Sequence, residues 1–223
     1  LIDRFKPKVD ALFGYFSVFE NSDGLLERLD GWIFVEWSEA NNFVQDVNYP
    51  TNMLYCAALR AAGELYGNGD YIRKSDIVKE AVLKLSFDGM FFHDNAVRSE
   101  GTLKNTEAIT EVCQYSAFFF GIVTRDSHKQ LFNTLLNDFG PERFKSGKWP
   151  QVCPAAPFVG NYMRIDILLN YGYLKKALEN IECFFLPMAE KTGTLWEMAE
   201  PTASCNHGFA GYAVYWLGKI NMQ

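Results

Sequence analysis

Apolar spacing, and the alternation of short and long stretches between the spaced runs, limits the possible folds of this chain more than any other feature of it. Between residues 4 and 19 the apolar positions Phe5, Val9, Leu12, Phe13 and Phe16 recur at intervals of three and four, the period of one helix face. Residues 52–66 present Met53, Leu54, Ala57, Ala58, Ala61 and Leu65 and stop at Gly67, a residue suited to ending a helix. The same recurrence returns in Val78, Ala81, Val82, Leu85, in Ile109, Val112, Cys113, Ser116, Ala117, Phe120, and in Leu131, Leu135, Phe139. It continues in Ile165, Leu168, Leu169, in Leu174, Ala177, Leu178, Ile181, and in Ala213, Trp216, Leu217, Ile220. The pattern predicts an all-α protein of about eight helices, hence about four helical hairpins.

The connections alternate in character. Gly67-Asn68-Gly69-Asp70, Thr124-Arg125-Asp126 and Tyr171-Gly172-Tyr173 are short and suit tight turns between antiparallel neighbours. The stretches 21–50, 86–105, 140–157 and 187–206 are long and rich in unusual residues. One end of the bundle is trimmed and the other elaborated, which predicts a toroid of hairpins with its long loops on one face. Functional groups tend to collect on such loops, and their length costs little closure entropy. No strict repeat accompanies the alternation, which argues against a regular solenoid. No linker or low-complexity segment divides the chain, so residues 1–223 are expected to form a single domain.

With 48% hydrophobic residues in 223, the chain can bury a substantial core. Its net charge of −6 and lack of any Lys/Arg run offer no electrostatic footprint for nucleic acid or an anionic membrane, so neither is expected as a partner. The longest apolar stretches, 116–123 and 183–189, fall short of the ~20 residues of a spanning helix, and a soluble protein is expected. Five scattered cysteines without a CxxC pair sit mostly among apolar neighbours, as small buried residues do; neither a disulfide framework nor a zinc site is expected. The chain opens at Leu1-Ile2-Asp3, without an initiator Met and already in a helical pattern, as a fragment or processed chain would, and this start identifies no compartment.

Any chemistry belongs to the long loops. In Gly31-Trp32-Ile33-Phe34-Val35-Glu36-Trp37-Ser38-Glu39 aromatic and acidic residues alternate, as in a short strand. Trp37 offers the flat apolar face that matches a pyranose ring, and neighbouring carboxylates accept hydrogen bonds from its hydroxyls. A surface hairpin with two packed Trp is the alternative. For Met90-Phe91-Phe92-His93-Asp94-Asn95 a hydrophobic hairpin stays ahead of an aromatic wall. In "TGTLWEMAEPTASCNHGFAG", residues 192–211, Glu197 lies between Trp196 and Met198, and a base there requires a polar pocket to stay ionised. Pro201 blocks helix continuation, Ser204 or Asn206 suits a cap for the last helix, and His207 would follow in its first turn. A capping or packing His207, a solvated Glu197 and a competing Glu200 remain open alternatives.

"GWIFVEWSEANNF", "NYPTNMLYCAALRAAGELYG", "PFVGNYMRIDILLNYG" and "TGTLWEMAEPTASCNHGFAG" resemble, in order, successive catalytic-domain motifs of the bacterial α-L-rhamnosidases, glycoside hydrolase family 78. The resemblance covers nearly the whole chain and is most specific at Thr194-Leu195-Trp196-Glu197 and Ser204-Cys205-Asn206-His207. It implies an (α/α)6 toroid of six hairpins around a sugar pocket, here incomplete, and inverting hydrolysis of terminal α-L-rhamnosyl bonds. One carboxylic acid would protonate the leaving oxygen and a carboxylate roughly 6.5–9.5 Å away would activate water. Glu197 is similar to the family's general base, Trp37 to its pocket aromatic, and His207 to its sugar-contacting histidine. Glu36 stands where Asp is more usual, with a longer side chain; it, Trp196 and Trp32 are the remaining expected substrate-binding residues.

The family's general-acid stretch, Asp-Cys-Pro-x-Arg-x-Glu-like and followed by Gly-Trp-x-Gly-Asp, does not occur in this sequence. The expectation is therefore the C-terminal part of a larger bacterial enzyme, periplasmic or cytoplasmic, that carries the base without the acid and is inactive alone. No cofactor or metal is expected, because the carboxylates are not at calcium-ligand spacing and the inverting chemistry needs none. Apolar faces left by the missing hairpins, that of residues 4–19 included, favour a homo-oligomer. Other function classes remain: a glucoamylase-like or fucosidase-like (α/α)6 glycosidase, or a non-catalytic carbohydrate-binding toroid.

Overall fold

In the computed structural model, which describes residues 2–222 apart from the side chain of Phe144, each run of helical spacing is a helix. In chain order the helices are α1 (Ile2–Ser17), α2 (Tyr49–Tyr66), α3 (Gly69–Ser86), α4 (Glu111–Phe119) and α5 (Lys129–Asn137). They continue with α6 (Pro141–Ser146), α7 (Gly160–Asn170), α8 (Leu174–Phe184), α9 (Leu186–Thr192) and α10 (Ala213–Asn221). Short helices α6 and α9 lie inside stretches that carry no sustained helical spacing. Each opens with a proline in its first turn and ends at a left-handed glycine, Gly147 and Gly193.

Local chemistry sets the hairpins. The Asn48 side chain caps α2 by accepting from Thr51 N at 2.9 Å, and Gly67, at φ 62°, ends it. Asn68 then caps α3, accepting from the amides of Asp70 and Tyr71. Gly63 lets the two helices meet: a Cβ there would stand 2.6 Å from Ile72 Cγ1.

Burial separates the helices into two layers. α4 and α7 are buried almost all round and α2 along most of its length, whereas α3 and α8 bury only a stripe. α2 packs on α4, α4 on α7 and α7 on α10, and each of the first three is backed by the helix pairing with it, α3, α5 and α8. Nearly all the buried apolar side chains form one contiguous cluster across these layers; Ala156, Phe158 and Ala210 lie outside it. Arg164 of α7 lies inside it, donating to Asn180 Oδ1 at 2.9 Å and to the carbonyls of Leu135 and Phe139 at 3.1 and 3.2 Å.

The protein is mostly helical but departs from the all-α expectation. Strands β1 (Val47–Asn48), β2 (Asn95–Ser99) and β3 (Thr102–Asn105) form an antiparallel sheet in that order. β2 and β3 are joined through Glu100 and Gly101, both at positive φ, 50° and 79°, the two-residue turn whose twist suits a hairpin. The possible strand over 31–39 does not form: this stretch is irregular and enters a 3-10 turn, Glu39–Asn42, capped by Ser38. Among the described residues no helix is long and apolar enough to cross a membrane.

Candidate functional site

The segment after α9 closes on itself. Glu197 N donates to Ser204 O at 2.9 Å, His207 N donates to Leu195 O at 3.0 Å, and the Thr194 hydroxyl donates to Cys205 O. These bonds hold 194–197 beside 204–207, so Glu197 and His207 come from adjacent arms of one loop. Trp196, 6% exposed, is fixed from below by its indole N–H donating to Thr192 Oγ1 at 2.7 Å and by Lys191 over its ring at 5.4 Å. The last helix is not capped by Ser204 or Asn206. Gly208-Phe209-Ala210-Gly211-Tyr212 winds first as a 3-10 turn, with His207 at its N-cap, and α10 begins only at Ala213.

Loop 31–43 faces this segment. Trp37, Trp32 and Phe34 form an aromatic cluster with ring centroids 4.9–5.9 Å apart, in which Trp32 is 70% exposed. The Trp37 indole N–H donates to Glu197 Oε1 at 3.3 Å, a contact across 160 residues of chain. Trp37 and Trp196 line a cavity of about 570 Å3, whose other walls include Pro154, Pro157, Met188 and the carboxylate residue Glu39. Glu197 lies between two residues that line it, Trp196 and Ala199. Glu200 is exposed.

Glu36 sits beneath the cavity. It is fully buried, and its carboxylate accepts from Ser38 Oγ at 2.6 Å, from Ala156 N at 3.0 Å and from Gly160 N, at the start of α7, at 2.8 Å. Gly160 has to be glycine for this approach, because a Cβ would stand 2.9 Å from Glu36 Oε2 and 2.5 Å from Ala155 Cβ. Burial pushes the Glu36 carboxyl up to about 7, against the pull of its three donors. Fully buried, the Glu36 side chain does not line the cavity, and the direct sugar contact expected of it is not available in this geometry.

Two further acids share this interior. Glu111 accepts from Tyr115 Oη at 3.0 Å, Arg143 Nη1 at 3.1 Å and Ala155 N at 3.3 Å; burial raises its carboxyl, with Arg143 opposing. Asp94 accepts from Thr110 N at 2.7 Å and Thr110 Oγ1 at 2.8 Å, and burial pushes it up to about 8. His207 is partly buried, packs edge-on against Phe158 with ring centroids 5.0 Å apart, and has a buried Nδ1 without a hydrogen-bond partner. An unpaired buried ring nitrogen is costly unless a ligand or water meets it.

Among solved structures, the chain is similar to a GH78 family rhamnosidase of Bacillus sp. GL1, with a TM-score of 0.78 and 18% identity over 97% of this chain and 24% of that one. It is also similar to a rhamnosidase from Klebsiella oxytoca with rhamnose bound, with a TM-score of 0.69 and 14% identity over 99% of this chain and 42% of that one. The fold is glycosidase-like. The chain spans less than half the length of either structure. No family model and no curated protein matches it.

Of the six residues singled out in the sequence, Trp37 and Trp196 line one cavity, Glu197 accepts from the Trp37 indole without itself lining it, Trp32 extends the aromatic cluster from Trp37, and His207 stands on the arm beside Glu197. Sequence reasoning missed the Pro154-Ala155-Ala156-Pro157 wall and the acid Glu111 that holds part of it. An acid in the first turn of an apolar helix, just after a Thr cap, was the available signal. Among the described residues no group of three His, Cys, Asp or Glu side chains is placed to hold a metal ion. The arrangement offers a partly exposed carboxylate with one neutral donor, beside aromatic faces, which suits acceptance of a proton from water next to a bound sugar.

Proposed function

We propose that this chain is the C-terminal part of the catalytic domain of an inverting α-L-rhamnosidase built on an (α/α)6 toroid. In this role Glu197 is the general base, with Trp37, Trp196, Trp32 and His207 as sugar-binding residues and Glu36 acting from beneath. The observation that carries the proposal is the Trp37 indole on Glu197 at 3.3 Å, which joins two stretches that resemble rhamnosidase motifs at the edge of one aromatic cavity. The rhamnosidase-like fold of 97% and 99% of the chain supports it.

The chemistry divides between two carboxyl groups. Glu197 takes a proton from water on one face of the sugar while an acid roughly 6.5–9.5 Å away protonates the leaving oxygen. No acid motif occurs within these 223 residues, so the proposal places the proton donor in another part of the enzyme. Loss of general-acid assistance alone forfeits ~10²–10⁴-fold.

The test is a tryptophan-fluorescence titration of the chain with L-rhamnose, L-fucose and D-glucose. L-Rhamnose is expected to perturb the emission most strongly, and W37F to abolish the response. Preference for L-fucose or D-glucose would favour a fucosidase-like or glucoamylase-like enzyme, and no response to any sugar would remove the pocket from the proposal. Hydrolysis of an α-L-rhamnoside with an unactivated leaving group is expected to stay at background; efficient turnover by the chain alone would refute the division between base and acid.

A further inference from the structure

We infer that Glu36 and Glu111 are positioning residues that together hold the 154–157 wall of the cavity, and that Glu36 keeps the Trp37 indole in register with that wall. The wall sequence is Pro154-Ala155-Ala156-Pro157, and its two prolines have no amide N–H. Its only two amide donors are therefore those of Ala155 and Ala156, and each is taken by a different buried carboxylate, Glu111 at 3.3 Å and Glu36 at 3.0 Å. From the other side Asn161 Nδ2 donates to Ala156 O at 2.9 Å. Hydrogen bonds to ionised groups are about twice as strong as neutral ones, so the two acids are the main polar tethers of the wall.

Glu36 does more than tether the wall. Its second oxygen accepts from the first amide of α7, where the helix dipole favours negative charge, and its backbone continues directly into Trp37. A change at Glu36 is therefore felt at once by the wall, by the start of α7 and by the residue whose indole bonds Glu197. All three protein partners of the Glu36 carboxylate are donors, so the ionised form fits the clamp and protonation weakens it.

The groups that act on Glu36 are identifiable. Glu111 of α4 raises its carboxyl, Asp94 and Tyr115 interact with it from the same interior, and Arg143 of α6 offsets Glu111. On the cavity side stand Glu39 and, through Trp37, Glu197, with His207 on the arm beside Glu197. The wall and Trp37 are thus expected to change state together as pH rises through about 7, where burial holds the Glu36 carboxyl.

The experiment is 19F NMR of the chain labelled with 5-fluorotryptophan, with Trp37 and Trp196 assigned by W37F and W196F. The Trp37 signal is expected to titrate with a midpoint near 7, well above an exposed carboxylate, and to lose that step in E36Q. Ser38→Ala removes a donor to the ionised carboxylate and should move the midpoint up; Glu111→Gln removes a like charge and should move it down. These opposite shifts are a signature that loss of packing does not produce, and S38A keeps the test open if E36Q fails to fold. A Trp37 step that persists in E36Q, or that S38A leaves in place, would show that another group drives it and overturn the inference.

The effect on sugar rests on the rhamnosidase reading, and there E36Q is expected to weaken L-rhamnose binding about tenfold, roughly one lost charged hydrogen bond. If the midpoints shift as described while the wild-type chain binds no rhamnose, the clamp stands and the rhamnosidase reading falls.

Discussion

Replacing Gly160 by Ala is the sharpest stability test of the clamp, because two opposite effects meet at one atom. Glycine in a helix costs up to ~1 kcal/mol relative to alanine, so on propensity alone G160A would stabilise α7. The added Cβ, however, would stand 2.5 Å from Ala155 Cβ. Carbon atoms in contact prefer about 3.5–4.0 Å, so the wall or the helix start must retreat by about 1 Å. Overpacking of this kind costs ~1–3 kcal/mol. The same Cβ lies 2.9 Å from Glu36 Oε2, and the retreat stretches the 2.8 Å bond from Gly160 N to that oxygen, a charged hydrogen bond worth ~1.5–3 kcal/mol when lost.

Clash and stretched bond together outweigh propensity, leaving a net destabilisation of ~2–4 kcal/mol, or ~5–15 °C in melting temperature for a chain of this length. Thermal unfolding followed by far-UV circular dichroism measures it. Ala155→Gly on the G160A background removes the nearest clashing atom and should recover the overpacking part. A melting temperature equal to or above wild type for G160A would show that the contact relaxes freely, and that Glu36 does not fix the start of α7.

Four other outcomes can be checked directly. Asp94 holds its proton to about pH 8 when folded against about 4 unfolded, so its stabilising contribution is complete below about 4 and is lost as pH rises to 8; D94N should flatten that decline and unfold later than wild type at pH 8. Arg164→Met leaves Asn180 Oδ1 and the carbonyls of Leu135 and Phe139 without their donor, and a lowered urea midpoint equivalent to ~3 kcal/mol or more is expected. α-L-Rhamnosyl fluoride needs no protonation of its leaving group, so the chain should hydrolyse it slowly and E197Q should not; equal rates would remove Glu197 as base. Ile2, Phe5, Leu12 and Tyr15 on α1 and Val18 just after it are exposed, so light scattering is expected to show self-association that L12E reduces, and a clean monomer over a wide concentration range would refute it.

Helices were legible because burial of one face writes a period into the chain, and α2 through α10 follow it wherever the run is long. α6 and α9 were not, since six or seven residues hold too few turns to display a period; only the proline before and the glycine after mark them. The sheet stayed hidden for a different reason. β1 has two residues and β2 only five, and the turn between β2 and β3 is Glu-Gly rather than the Asn-Gly or Asp-Gly that announces a hairpin. In the site, aromatic residues and Glu197 stood out by type and local company. What Glu36 does depends on backbone amides 120 and 124 residues away, and backbone groups leave no trace in a sequence.

Hydrogen-bond occupancy separates the carboxylates around the cavity into two kinds. Glu36 and Glu111 each have three side-chain or backbone donors and Asp94 two, and all three are buried to 1% exposure or less, so their lone pairs are committed inside the protein. Under the proposed rhamnosidase role, the base has to present a free lone pair to water, which leaves Glu197 and Glu39 as candidates. Glu39 lines the cavity but is exposed and accepts only from Asn42 Nδ2, at 3.0 Å, its nearest company a polar surface turn. Glu197 is partly buried and held by one indole N–H, on a loop closed by its own backbone bonds. Among the described residues that indole is the donor recorded on its carboxylate, so one oxygen is oriented and the other keeps its lone pairs for water. If E39Q rather than E197Q abolished hydrolysis of the fluoride, exposure would have counted for more than orientation, and the base would belong to the loop that carries Trp37.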